Sequence, residues 1–253
     1  MANVPSNAQF RADTTGVTVE QLGSELTNAR AAFFTMADIA QSAGPTTNNT
    51  VYGLNAFENN INGVNNVAIG SEAFRFNQVG SYSTAVGQAC MYSNVAGQDN
   101  TAVGSFASFA NTIGNYNTAV GQGSMQANQN GNENVAVGRR ALFLHPDGSQ
   151  NTAIGYNAGT QLQMGSGNTI LGNGAMSIMG TGDSNTVVGT FALALGNNSC
   201  IVLGRDAFPS ASNQFVVGSS AYPVGTITPY TGAAGDTWEV VINGQPRNIM
   251  LAP

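Results

Sequence analysis

The side chains that most often carry out chemistry are scarce in this sequence. It contains one histidine, His145, and two cysteines, Cys90 and Cys200. These three residues are too few and too far apart to indicate a zinc site, and the phrase around the histidine, LHPDG, is typical of a turn. Ser124 and Ser177 lack any partner that would complete a catalytic triad. We therefore predict that the protein is not an enzyme and expect no cofactor and no metal site.

Charged side chains offer little more. They make up 8% of the chain, with no lysine and a net charge of −6, against roughly 25% charged residues in ordinary proteins. This composition gives no basic footprint for nucleic acid, and no apolar run is long enough to span a membrane. Arg139 and Arg140 form the sole basic pair, either as solvated loop charges or as a contact for an anionic glycan. Asp99, Asp147 and Asp183 supply one carboxylate per loop, which is a poor calcium site.

The elements that carry these residues are set by an internal repeat. A glycine that follows a short β-branched phrase, such as TAV or VAI, recurs every 17 residues, and the interval then shortens to 15 and 14. A second glycine recurs in parallel at the same spacing, in the polar stretch of each repeat. The spine glycines are Gly53, Gly70, Gly87, Gly104, Gly121, Gly138, Gly155, Gly172, Gly189, Gly204 and Gly218.

An asparagine usually stands four residues before the spine glycine. It occupies that position at Asn49, Asn66, Asn100, Asn117, Asn134, Asn151, Asn168 and Asn185. One unit is too small to bury its own apolar side, so successive units must stack and bury one another's. The pattern predicts an all-β repeat over residues 46–222: a β-solenoid of about eleven 14–17-residue coils, with a second short strand near the small-bulky pair after each glycine. The asparagines should form an axial ladder of amide hydrogen bonds.

A column of alanines precedes the β-branched residue of each repeat. Because neighbouring side chains of a strand point to opposite faces, we expect these alanines on the face opposite the coil interior. A column of small residues there would favour close contact with another chain. The column comprises Ala68, Ala85, Ala102, Ala119, Ala136 and Ala153.

The phrase N-T-A-V-G-x-x-A, followed by a bulky residue, resembles the head repeats of trimeric autotransporter adhesins of the YadA type. It is clearest in residues 100–108, 117–125 and 151–159. The resemblance implies a left-handed parallel β-roll in which three identical chains lie around one axis. Similar coils also occur in bacteriophage tail fibres and other viral spikes. We see no export signal and no set of long amphipathic strands for a membrane barrel, and we therefore favour a virion fibre.

The two ends differ from the repeat. Residues 17–43 predict a helix whose apolar heptad positions would form a short coiled coil, or pack on the end of the roll; its seam residues are Leu22, Leu26, Ala29, Phe33 and Met36. Residues 1–16 read as a flexible arm or docking peptide. Residues 223–253 contain Asn243-Gly244 between apolar runs, which predicts a β-hairpin. It would cap the roll, or form a receptor-binding tip with Tyr230 and Trp238.

These features predict a homotrimeric structural or adhesive fibre or spike on the surface of a virion, most simply that of a tailed phage. Its partners would be further copies of itself, another virion protein bound through the N-terminal segment, and a host surface glycan or receptor; we expect neither nucleic acid binding nor membrane insertion. The alternative is the head of a bacterial cell-surface trimeric adhesin. An ice-binding solenoid, suggested by a column of threonines, and a capsid decoration protein are less favoured.

Overall fold

The structure is a computed structural model that describes residues 48–178 and 180–219, together with the backbone alone of residues 237–242 and 245–250. The predicted arm (1–16) and helix (17–43), with all five seam residues, lie outside the described residues, as does Tyr230.

Eleven three-residue strands form one parallel sheet in which spatial order follows chain order. They are β1 Thr50–Tyr52, β2 Val67–Ile69, β3 Thr84–Val86, β4 Thr101–Val103, β5 Thr118–Val120, β6 Val135–Val137, β7 Thr152–Ile154, β8 Thr169–Leu171, β9 Thr186–Val188, β10 Ile201–Leu203 and β11 Phe215–Val217.

Each strand pairs with the next so that equivalent positions of successive repeats lie side by side. Ala102 of β4 lies opposite Ala119 of β5, and where the interval shortens, Val187 still pairs with Val202 and Val202 with Val216. Each repeat is therefore one coil of a parallel β-solenoid with one strand per coil. The residues described contain no helix.

The central residue of each strand points into the coil, and the first and third residues point outward. Ala68, Ala85, Ala102 and Ala136 have no exposed surface and belong to the hydrophobic core. The expectation that the alanine column faces outward is wrong. A strand of three residues places its centre on one side and both ends on the other, and here the pair that faces outward is the threonine and the β-branched residue.

The narrow coil explains why alanine occupies the inner position. In most coils a bulky side chain four residues after the spine glycine fills the interior from the opposite wall, as Phe74, Met91 and Met125 do with no exposed surface. Where that residue is Gly159, the strand of the next coil carries Ile170 in place of alanine, and its Cδ1 lies 3.1 Å from where a Cβ on Gly159 would sit. At this coil a larger side chain on the strand thus compensates for the missing side chain on the opposite wall, as close packing requires.

The second strand expected in each coil is absent from the described repeats. The backbone there turns through left-handed residues, including Phe74 (φ 53°), Met91 (φ 49°) and Leu142 (φ 48°), a conformation that bulky residues seldom adopt. Adjacent coils still exchange hydrogen bonds along this wall, for example from Phe74 N–H to the Cys90 carbonyl at 3.0 Å. The wall is a stack of similar turns joined by these hydrogen bonds.

Two further strands, β12 Thr237–Ile242 and β13 Gln245–Met250, form an antiparallel pair. Their last pair, Ile242 with Gln245, leaves two residues to connect them, as the Asn243-Gly244 signal predicts.

Candidate interaction surface

The outward face of the eleven-stranded sheet is a regular strip of two side-chain columns. One column contains the first residue of each strand, mostly threonine, and the other contains the third residue, mostly valine, isoleucine or leucine. None of these residues is charged. We call this strip the outward strand face.

The apolar column is substantially exposed in the single chain. Val103 is 39% exposed, Ile154 40% and Leu171 46%, and the strip continues to Phe215 at 68%. Isolated apolar side chains are common on protein surfaces, but a contiguous, charge-free column marks an interaction site. The outward strand face is therefore the candidate functional surface of this chain.

The asparagine column expected from the sequence runs beside the strands as a continuous hydrogen-bonded chain. The Oδ1 atom of Asn117 accepts a hydrogen bond from the backbone N–H of Asn134 in the next coil at 3.0 Å. The Nδ2 atom of Asn117 donates to the carbonyl of Gly131, a member of the second glycine column, at 2.8 Å. Most of these side chains are buried. They form hydrogen bonds with backbone N–H and C=O groups at the corner of the coil, which water cannot reach. The members are Asn49, Asn66, Asn100, Asn117, Asn134, Asn151, Asn168 and Asn185.

A second asparagine ladder lies seven residues after the spine glycines, and the sequence analysis missed it. Asn60, Asn77, Asn94, Asn111 and Asn128 are linked side chain to side chain from Nδ2 to Oδ1 at 2.6–3.1 Å. These asparagines are 17 residues apart in the sequence, and that spacing alone would have predicted the ladder. The ladder ends when His145 takes the sixth position and Leu162 the seventh.

His145 is a fully buried member of this column, whereas the sequence analysis treated it as a turn residue. Its Nδ1 lies 2.6 Å from the carbonyl oxygen of Leu162, and its Nε2 lies 3.0 Å from Nδ2 of Asn151. A carbonyl only accepts and an amide NH₂ only donates, so the ring is neutral with its proton on Nδ1. Burial lowers the pKa of His145 from its ordinary value, against smaller opposing effects of the Leu162 and Gly148 carbonyls and Asp147.

The two arginines of the basic pair, Arg139 and Arg140, contact different neighbours. Arg139 and Arg140 are both exposed, but Arg139 donates to Gln122 Oε1 at 2.8 Å and lies 5.7 Å from the Tyr156 ring. Arg140 instead lies over the ring of Phe143 at 5.0 Å. The Arg139 guanidinium is thus held toward Gln122 and Tyr156, and that of Arg140 toward Phe143. Of the other recognition candidates, Trp238 lies in β12, where only the backbone is described.

An aromatic stack crosses three coils on the wall opposite the strands. The rings of Tyr92 and Phe109 are nearly parallel with centroids 4.9 Å apart, and Phe76 meets Tyr92 edge to face at 5.0 Å. Arg75 covers Phe76 at 5.5 Å and is paired with Glu58 and Glu72. Because rings from consecutive coils pack against one another, this stack stabilises the contact between the coils.

Within residues 48–219, apart from Met179, no group of three or more His, Cys, Asp or Glu residues could hold a metal ion. Burial raises the pKa of the Cys90 thiol to about 12, and the thiol donates a hydrogen bond to the Ala102 carbonyl. In the described part of the chain, no helix combines the length and apolar character needed to cross a bilayer.

No protein-family model matches this chain, and comparisons with curated proteins and with solved structures find no match.

Proposed function

We propose that this protein is a homotrimeric structural and adhesive fibre or spike of a virion, built as a left-handed β-roll. In this proposal the N-terminal segment binds another virion protein, the helix at 17–43 forms a short coiled coil, and the roll projects outward. The C-terminal hairpin caps the last coil, and the outer loops bind a host surface glycan. The similarity of the repeat to YadA-type heads and viral fibres supports this assignment.

The observation that carries the proposal is the outward strand face. A sheet of eleven strands, about 48 Å long across ten spacings of about 4.8 Å, presents an apolar column beside a threonine column and no charge. Burying the apolar column would stabilise an assembly by about 25 cal/mol for each Å² removed from water. Since both columns continue along the whole sheet, a partner with the same repeat can match them rung for rung. Two further copies of this chain satisfy that condition.

The experiment is a mass measurement in solution. The purified full chain, passed through size exclusion with multi-angle light scattering, should give about 78 kDa, three times its 25.9 kDa. A monomeric mass at micromolar concentration would contradict the trimer. Electron microscopy of intact particles with an antibody against this chain should then show labelled fibres on virions. Labelling of bacterial surfaces would favour the adhesin alternative.

Ice binding is a second candidate because the structure places β-branched side chains beside the threonine column on one flat face. The threonine column is interrupted by Val67, Val135, Ile201 and Phe215, and we therefore rank this function below the fibre. A thermal hysteresis measurement separates the two. Hysteresis in a monomeric protein would establish ice binding, and its absence in a trimer would exclude it.

A further inference from the structure

The second asparagine ladder ends at the single histidine of the chain, His145. In the preceding coils each Nδ2 donates to the Oδ1 of the coil before, as Asn128 does to Asn111. His145 makes no such bond, and Oδ1 of Asn128 is buried with no hydrogen-bond partner in the residues described. The histidine instead joins the first ladder through Asn151. In preceding coils the two ladders share a glycine carbonyl as acceptor, as Asn117 and Asn128 share that of Gly131; among the described coils, this one has a direct side-chain contact between them.

The orientation of the Asn151 amide is set by its other contacts. Its Oδ1 accepts from the backbone N–H and from Nδ2 of Asn168, both at 3.0 Å. Its Nδ2 donates to the Gly165 carbonyl at 2.9 Å. Turning the amide over would break all three contacts and leave buried groups unpaired, at a cost of about 1–3 kcal/mol each. Asn151 therefore keeps its NH₂ group toward Nε2 of His145.

A proton added to Nε2 would consequently face another donor. The surroundings compensate only in part: the Gly148 carbonyl and Asp147, which is exposed and two residues away, both favour the protonated ring, but the effect of burial is larger. The residues at this position in the adjacent coils are Asn128 and Leu162, and neither carries a charge. The ring is fully buried, and burying a cation without a partner is costly.

We propose that His145 is a proton-sensitive joint in the solenoid: protonation breaks its hydrogen bond with Asn151 and loosens the stack between the coils of Asn128 and Leu162. Neutral His145 then contributes stability that is fully present above the ordinary histidine pKa of about 6.5. That contribution is lost as the pH falls below this value, because the unfolded chain binds the proton more readily than the folded one. This inference is independent of the trimer and of any receptor.

The repeat itself supplies two matched replacements. His145→Asn restores the residue of the five preceding coils and gives Asn128 Oδ1 its donor, whereas His145→Leu introduces the residue of the next coil. Thermal unfolding of the full-length wild type and both variants should be followed from pH 7.5 to 5.0. Carboxylates titrate equally in all three proteins, so the difference between wild type and variant isolates His145. We expect the wild type to lose at least about 2–4 °C relative to His145→Asn across this range.

A difference that stays constant with pH for both variants would overturn the proposal. A second measurement needs no variant: long-range proton–nitrogen NMR of histidine-labelled wild type reports the tautomer and the titration of the single ring. A proton on Nδ1 and a midpoint below 6.5 support the joint. A proton on Nε2 in the neutral form, or a midpoint at or above 6.5, contradicts it.

Discussion

Among single residues, the spine glycines combine a positive φ with a close approach of the next coil's backbone. The backbone of Gly121 has φ 127°, and a Cβ on it would lie 2.6 Å from the carbonyl oxygen of Gly138 in the next coil. Such a φ is inaccessible to most L-residues at low cost, and the obstructing atom is backbone, which cannot rotate away. The same arrangement is repeated at each coil, so the glycines set how closely the coils can stack.

Gly121→Ala should therefore lower the free energy of unfolding by about 3 kcal/mol or more, from backbone strain and the clash together. Gly196→Ala is the control, since Gly196 also has a positive φ (75°) but its Cβ would meet no atom within 4 Å. It should cost about 1–2 kcal/mol. Urea denaturation measures both. Equal losses would show that φ alone, and not the stacking distance, explains the glycine column.

The first asparagine ladder supplies a second prediction. Asn117→Ala leaves the Asn134 N–H without its acceptor and removes one of the two side-chain donors to the Gly131 carbonyl, and we expect a loss of roughly 1–3 kcal/mol. Asn117→Ser should cost about half as much, because Ser83 stands at this position in its own coil and its Oγ accepts from Asn100 N–H at 3.0 Å. Chemical denaturation of the two variants gives the ranking. A serine variant no better than alanine would contradict this role of the ladder.

Among elements, the turn wall depends on lateral contacts between coils because it has no strands. Tyr92 lies at the centre of the aromatic stack, with Phe76 on one side and Phe109 on the other. Tyr92→Ala removes both ring contacts and should lower the free energy of unfolding by about 2 kcal/mol. Tyr116→Ala is the control: its side chain is 63% exposed and its removal should change stability by less than about 0.5 kcal/mol. Equal effects in thermal unfolding would exclude a stabilising stack.

For the assembly, we predict that a charge on the outward strand face changes the oligomeric mass in solution and leaves the fold of each chain unchanged. Val120→Glu places a charge in the middle of the apolar column, where a neighbouring chain would have to desolvate it. We expect this variant to elute as a folded monomer in light scattering, with an unchanged circular dichroism spectrum. Ile113→Glu, at a more exposed site in the polar loop of its coil (52% against 36%), should leave the proposed trimer intact. Loss of the trimer in both variants, or in neither, would place the interface elsewhere.

The sequence alone determined the period, the number of coils, the glycine columns, the first asparagine column, and the C-terminal strand pair. Each of these follows from spacing: stacking coils of equal length puts equivalent residues side by side, as Ala102 and Ala119 are. The Asn243-Gly244 turn signal is likewise local.

The tertiary structure decided which side of each strand is inside. A three-residue strand is too short for its alternation to reveal the buried face; the opposing wall decides it, through side chains such as Phe74 and Met125 that leave room only for alanine. The same packing replaced the expected second strand by left-handed turns and buried His145 beside Asn151. Burial depends on what lies across the coil, and the spacing of residues along the chain does not contain that information.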